Sequence, residues 1–176
     1  MTPSKINQEI KNKCKNIKLV VTDVDGVLTD GGRYYSNRGE MLKKFHTRDG
    51  MGVNILLRNN LKTVILTKEK SAITRKWAKD MNVSHIFEGF AKKELVLVQV
   101  CEKYKITLKE ITYIGDDVND IEVLKKVGLS AVPNDAANQA KEVADYTCAA
   151  KGGMGCFREI VDMILLSKFS LKTKWY

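Results

Sequence analysis

The chain has 176 residues, 44% hydrophobic and 29% charged, the balance of a single soluble domain over 1–176 that can bury about 70% of its unfolded surface. No run approaches the roughly 18 apolar residues of a membrane span, and the opening "MTPSKINQEIKNKCKN" is too polar for a secretory signal, so a cytoplasmic protein with no membrane partner is expected. The net charge of +9 lies in scattered lysines and in the ends, "KNKCKNIK" and the tail over about 168–176, without basic–aromatic interleaving, which argues against nucleic acid.

Residues 17–22 read as a short buried strand, ending at Asp23-Val24-Asp25. Within about 29–47, "RYYSNRGEMLKKFHT" has a turn signal at Asn37-Arg38-Gly39 between two strand-like arms, a projecting hairpin. A helix is expected over 49–59, a strand over 62–67, and an amphipathic helix over 70–81 with Ile73, Trp77 and Met81 on one face. A strand over 84–89 leads to a helix at about 93–104, although "LVLVQV" alternates like a strand as well. A strand at 111–115, a helix near 118–127, short strands in "LSAVP" and "DYTC" with a helix between them, and a final helix over roughly 155–167 complete the pattern. Strands alternating with helices predict an α/β fold, a Rossmann-like three-layer parallel sheet with right-handed crossovers. Cys14, Cys101, Cys148 and Cys156 have no zinc or redox spacing and fit a reducing compartment.

In such sheets ligands bind beyond the carboxyl ends of the strands. There the sequence has Asp23 and Asp25, then Thr67, then Lys93, then Asp116 and Asp117, with Asp120 one helical turn on. So many carboxylates at one edge require cations. Magnesium fits, being hard and held by one or two carboxylates plus phosphate and water. Asp23 and Asp116 are the expected ligands, with the Asp25 backbone carbonyl a third. Asp23 beside the metal can attack phosphorus, and Asp25 can protonate the leaving alkoxide and then activate water. Thr67 would bond a phosphate oxygen, and Lys93 would hold Asp23 and the phosphate by charge. Gly26 would let the chain turn away from the site.

"DVDGV", Thr67, Lys93 and "GDDVND", in order and at strand ends, resemble the four motifs of the haloacid dehalogenase-type phosphatases. "TDVDGVLTDGGRYYSNRGEMLKKFHTRDGMG", "GDDVNDIEVLKKVGLSAVP" and "GGMGCFREIVDMIL" further resemble the branch that includes the 3-deoxy-manno-octulosonate 8-phosphate phosphatases. That resemblance implies a fold without a cap domain, a phosphorylated sugar acid as substrate, and a homotetramer associating through the hairpins. It also favours Lys93 over its neighbour Lys92. After Thr67, however, "TKEKS" has Glu69 where octulosonate phosphatases usually have Gly-Arg, a feature similar to relatives acting on nine-carbon acids such as a 2-keto-3-deoxy-nonulosonate or N-acylneuraminate 9-phosphate. "HTRDGMG" resembles the octulosonate type.

Each residue also has a plainer reading. Asp25 or Asp117 alone could cap a turn or helix; Asp117 and Asp120 are expected beside the metal ligands, Asp120 acting through water. Arg48 and Arg158 could grip the substrate carboxylate or phosphate, or form surface salt bridges. Glu69 could read sugar hydroxyls. His46 and His85 have no nucleophile to serve, and Tyr34, Tyr35 and Phe45 are expected to pack in a hairpin interface. A signalling receiver would have its acidic pair first and its phosphoacceptor later, and a phosphomutase would need a cap. A non-enzymatic phosphate- or nucleic-acid-binding protein is the alternative of another class.

Overall fold

The structure, a computed structural model, describes residues 7–169 and 172–175; the outermost parts of the expected 1–176 domain and of its tail lie outside the described residues. Six strands form one parallel sheet in the order β5-β4-β1-β6-β7-β8: β1 (Leu19–Thr22), β4 (Lys62–Thr67), β5 (His85–Glu88), β6 (Ile111–Ile114), β7 (Leu129–Val132) and β8 (Tyr146–Thr147). β1 is central, pairing Val21 with Val64 on one side and with Tyr113 on the other. The chain builds outward from β1 to β4 and β5, then returns past β1 to β6. The loops leaving β1 and β6 therefore diverge, and a crevice opens at their carboxyl ends.

Alternation along the strands sorts the core into two layers. Val20, Ile65 and Ile114 pack with Leu56, Phe157, Ile160 and Ile164. These last belong to α2 (Thr47–Arg58) and α7 (Cys156–Phe169). Val21, Val64, Leu66 and Tyr113 face the other way, onto Leu97 and Val100 of α4 (Val96–Tyr104), Val123 of α5 (Ile121–Leu124) and Ala140 of α6 (Asn138–Val143). α3 (Ala72–Asp80) starts at a Ser71 cap and adds Ala78 to the first layer.

Several boundaries differ from the sequence reading. A helix, α1 (Gln8–Asn16), occupies the polar opening segment; Asn7 caps it by accepting the Ile10 N–H at 3.0 Å, and it buries only Ile10 and Cys14. Such a sparse apolar stripe gives little periodic signal. The expected helix near 118–127 is a tight turn, Val118–Asp120, followed by only four α-helical residues. "LVLVQV" is helical: Val96, Leu97 and Val100 are buried, whereas Val98 is exposed.

The hairpin consists of β2 (Tyr34–Ser36) and β3 (Gly39–Leu42), antiparallel, with a further bridge between Thr29 and Phe45 at its base. Tyr34 and Tyr35 are exposed. Phe45 instead stacks on Trp77 of α3, ring centroids 4.6 Å apart, so it anchors the hairpin to its own chain. No cap domain is inserted after Gly26 or between Thr67 and Lys93, where the described elements are only this hairpin, α2, α3 and single strands.

Candidate active site

Asp23 directly follows β1, and its N–H donates to the Ile114 carbonyl at 2.9 Å, continuing the register with β6. Its Oδ1 accepts the Val24 N–H at 2.7 Å, and its Oδ2 meets Lys93 Nζ at 2.5 Å. Lys93 opens the tight turn that precedes α4 and is wholly buried. A buried ammonium is tolerated only when fully paired. Lys93 finds a second carboxylate in Asp120 Oδ1 at 2.7 Å and lies 3.3 Å from the Tyr113 hydroxyl. Tyr113 in turn donates to Asp120 Oδ1 at 2.6 Å. The other Asp120 oxygen accepts the N–H groups of Asp116 at 2.9 Å and Asp117 at 3.3 Å. Both oxygens of Asp120 are thus engaged, Oδ1 by Lys93 and Tyr113 and Oδ2 by the loop after β6.

Asp23, Asp116 and Asp120 each bring a carboxylate oxygen within 4.8 Å of the others. Burial pushes the Asp23 carboxyl up to about 6, with Lys93 opposing the shift and Asp120 adding to it. Burial also raises Asp116 to about 8, reinforced by Asp23 and then Asp120. Burial pulls Lys93 down, but Asp23 and Asp120 outweigh it and hold the ammonium above its ordinary value. Three carboxylates here share the single ammonium of Lys93, and oxygen donors in this number suit a hard divalent cation. With Asp120 saturated, Asp23 and Asp116 are the carboxylates with capacity left for one. Gly26 allows their approach: it has φ +84°, and a Cβ there would collide with the Asp116 carboxylate.

Asp23, Gly26 and Asp116 line a cavity of about 390 Å³, together with Asp25, Thr67, Glu69 and Asp117, while Lys93 and Asp120 are buried behind Asp23. Thr67 is buried at the end of β4, its Oγ1 accepting the Glu69 N–H at 3.3 Å. Asp117 Oδ1 accepts the Val118 N–H at 2.8 Å, so its capping role is met while it lines the cavity. Lys92 only precedes the turn that delivers Lys93. Asp25 turns to another cation, Lys43, at 2.7 and 2.8 Å. Glu69 pairs with Arg33 at 3.2 Å. Neither Arg48 nor Arg158 lines this cavity. Arg48 is exposed in the first turn of α2, and Arg158 is tied along its own helix to Asp162 at 2.6 Å and lies 5.9 Å from the Trp175 ring. His46 caps α2 by accepting the Arg48 N–H at 3.3 Å, and His85 packs edge-on against Phe87.

The sequence reading did not include Arg33, Lys43 or Tyr113 in the site. Tyr113 carries a legible signal, since the alternation of β6 sends it to the same face as α4, where Lys93 arises. Lys43 and Arg33 carry none, because their approach depends on how the hairpin folds back.

Known proteins resemble this chain in sequence and in fold. Residues 56–158 match the family of haloacid dehalogenase-like hydrolases. The chain is 36% identical to the 3-deoxy-D-manno-octulosonate 8-phosphate phosphatase of Salmonella typhi over 94% of this chain and 88% of that protein. The crystal structure of the same-named phosphatase from Yersinia pestis superposes with a TM-score of 0.90 at 33% identity, covering 94% of this chain and 89% of that one. That from Moraxella catarrhalis, in complex with a magnesium ion, a phosphate ion and a KDO molecule, superposes with a TM-score of 0.88 at 35% identity, covering 91% and 92%. The order of acidic, hydroxyl and ammonium groups along one sheet edge, the uncapped fold and these likenesses converge: the chain belongs to the haloacid dehalogenase-like hydrolases, among the relatives of the 3-deoxy-D-manno-octulosonate 8-phosphate phosphatases.

Proposed function

We propose that the protein is a magnesium-dependent phosphatase that hydrolyses the terminal phosphate monoester of a 2-keto-3-deoxy sugar acid, 3-deoxy-D-manno-octulosonate 8-phosphate first among them. The observation that carries this reading is the buried Lys93 held between Asp23 and Asp120, with Asp23 and Asp116 lining a cavity that Thr67 also lines. Magnesium would be held by the carboxylates of Asp23 and Asp116 and the backbone carbonyl of Asp25, and its charge would offset the repulsion between phosphate and carboxylate. Asp23 attacks phosphorus, forming an aspartyl-phosphate as the bond to the sugar oxygen breaks. Asp25 donates a proton to that oxygen, then takes one from the water that attacks the aspartyl-phosphate, releasing phosphate and restoring Asp23. Thr67 donates to a phosphate oxygen. Lys93 neutralises Asp23 and the incoming phosphate, and Asp120 with Tyr113 keeps Lys93 in place.

The eight-carbon substrate rests on the likeness to the octulosonate phosphatases over nearly the whole chain. A nine-carbon acid is the second reading, favoured by Glu69 in the cavity wall, where its carboxylate would accept hydrogen bonds from the polyol. Arg48 and Arg158 serve the sugar carboxylate in this proposal only if a neighbouring subunit's cavity lies against them. The working form is a cytoplasmic homotetramer with no nucleic-acid partner.

Two measurements test the assignment. Free phosphate released from octulosonate 8-phosphate, a nonulosonate 9-phosphate and hexose phosphates should give the highest kcat/KM for one of the two acids. No preference over hexose phosphates removes the substrate class. Asp23→Asn should lower kcat by about 10³-fold or more, and a folded variant at the parent rate removes the covalent mechanism.

A further inference from the structure

The hairpin sets a charged group against Asp25, a residue of the cavity wall. Lys43, one residue beyond β3, has a side chain with no exposed surface, and its ammonium lies 2.7 and 2.8 Å from the two oxygens of Asp25. Glu40 lies 3.4 Å from the same ammonium. Glu40 accepts from the Ser71 hydroxyl at 2.6 Å and lies 3.4 Å from Arg33, whose guanidinium reaches Glu69 at 3.2 Å. The base of the hairpin is therefore fastened to the loop after β4, and the buried end of that fastening is Lys43 on Asp25. A carboxylate on a short side chain beside a glycine has several rotamers. A buried ammonium bridging both its oxygens allows few, because turning Asp25 away would leave that dry cation only the longer pairing with Glu40 at 3.4 Å.

We propose that Lys43 is a positioning residue, which holds the Asp25 carboxyl in the orientation needed to protonate the leaving sugar oxygen and thereby makes the hairpin part of its own chain's active site. The inference rests on the acid–base role proposed above for Asp25.

The two can be tested separately by leaving-group dependence. kcat/KM reports steps up to formation of the phosphoenzyme. The sugar ester expels a basic alkoxide that needs a proton, whereas p-nitrophenyl phosphate expels a stable phenolate that does not. Lys43→Met should lower kcat/KM for octulosonate 8-phosphate by about 100-fold, and for p-nitrophenyl phosphate by no more than about tenfold. Equal losses on the two esters, or no loss on either, would overturn the inference. If Lys43→Met does not fold, Lys43→Gln carries the same comparison: a loss on the sugar ester about tenfold larger than on the aryl ester supports the inference, and equal losses overturn it. Asp25→Asn is the reference. If it discriminates between the esters and the Lys43 variants do not, only the role of Lys43 is lost. If Asp25→Asn itself fails to discriminate, the acid–base reading falls and the inference with it.

Discussion

Asp116 shows how far a side chain's chemistry depends on what surrounds it. In the sequence it is one carboxylate among several in "GDDVND". In the fold burial comes first, and the neighbouring Asp23 and Asp120 add to it, lifting its carboxyl to about 8. The metal-free protein at pH 7 therefore holds a proton on Asp116, and a metal ion that binds the carboxylate must displace it. Magnesium binding should release close to one proton at pH 7 and much less at pH 9, and apparent affinity should rise with pH up to about 8. Calorimetry in buffers of different ionisation enthalpy measures this directly. Asp116→Asn should abolish the release; unchanged release in that variant would place the proton elsewhere.

At the scale of elements, the two longest helices are tied together by a buried acid outside the cavity lining. Asp49, in the first turn of α2, is fully buried and accepts the N–H of Arg158 in the first turn of α7 at 2.8 Å. A carboxylate there satisfies a free N–H and complements the helix dipole. Its second oxygen has no hydrogen-bond partner, and burial raises its carboxyl to about 6, opposed by the Arg158 N–H. The folded value lies above the unfolded value of about 3.9. The stabilisation from this proton is thus fully present below about pH 4 and is lost as pH rises through about 6, a change of roughly 3 kcal/mol. Asp49→Asn has no such proton. The stability difference between the variant and the parent should move in the variant's favour by roughly that amount between pH 4 and pH 7. Urea denaturation across that range tests it, and a difference independent of pH would refute the assignment.

For the whole molecule, the hairpin is the surface that invites association. Tyr34 and Tyr35 are 63% and 61% exposed, and Met41 and Leu42 are 56% and 59% exposed, on a two-stranded arm with free edges. A cluster of large apolar side chains on a projecting arm marks an interaction site. In the proposed homotetramer these faces meet one another. Tyr35→Glu together with Leu42→Glu should shift the mass measured by light scattering to that of a smaller species, because charges would be buried at the contact. A parent protein that is monomeric and fully active at assay concentration would rule the tetramer out. The same measurement on Lys43→Met separates assembly from the chemistry at Asp25, since Lys43 is buried at the hairpin's base and its tip is untouched.

The parallel α/β architecture was legible because strands buried on both faces are written as short apolar runs, and each run ends in the polar residue that the sheet edge exposes. Asp23, Thr67 and Asp116 could be placed at one edge for that reason, whereas choosing Lys93 over Lys92 took the family resemblance. Their residue types then pointed to phosphate and a hard cation, and the family resemblance sharpened this to a sugar acid. α1 was hidden because its packing needs only two buried side chains, too few for a periodic pattern. The lengths of the helices near Val118 and Val96 were set by the loops that deliver Asp120 and Lys93, and local propensity does not record such demands. Only the tertiary structure decided that Asp120 is spent on Lys93 and two backbone N–H groups, that Arg48 and Arg158 point to other business than this cavity, and that Lys43 closes on Asp25. Those outcomes depend on burial and on long-range partners, which create or remove several kcal/mol per charge and leave no trace in the spacing of residues along the chain.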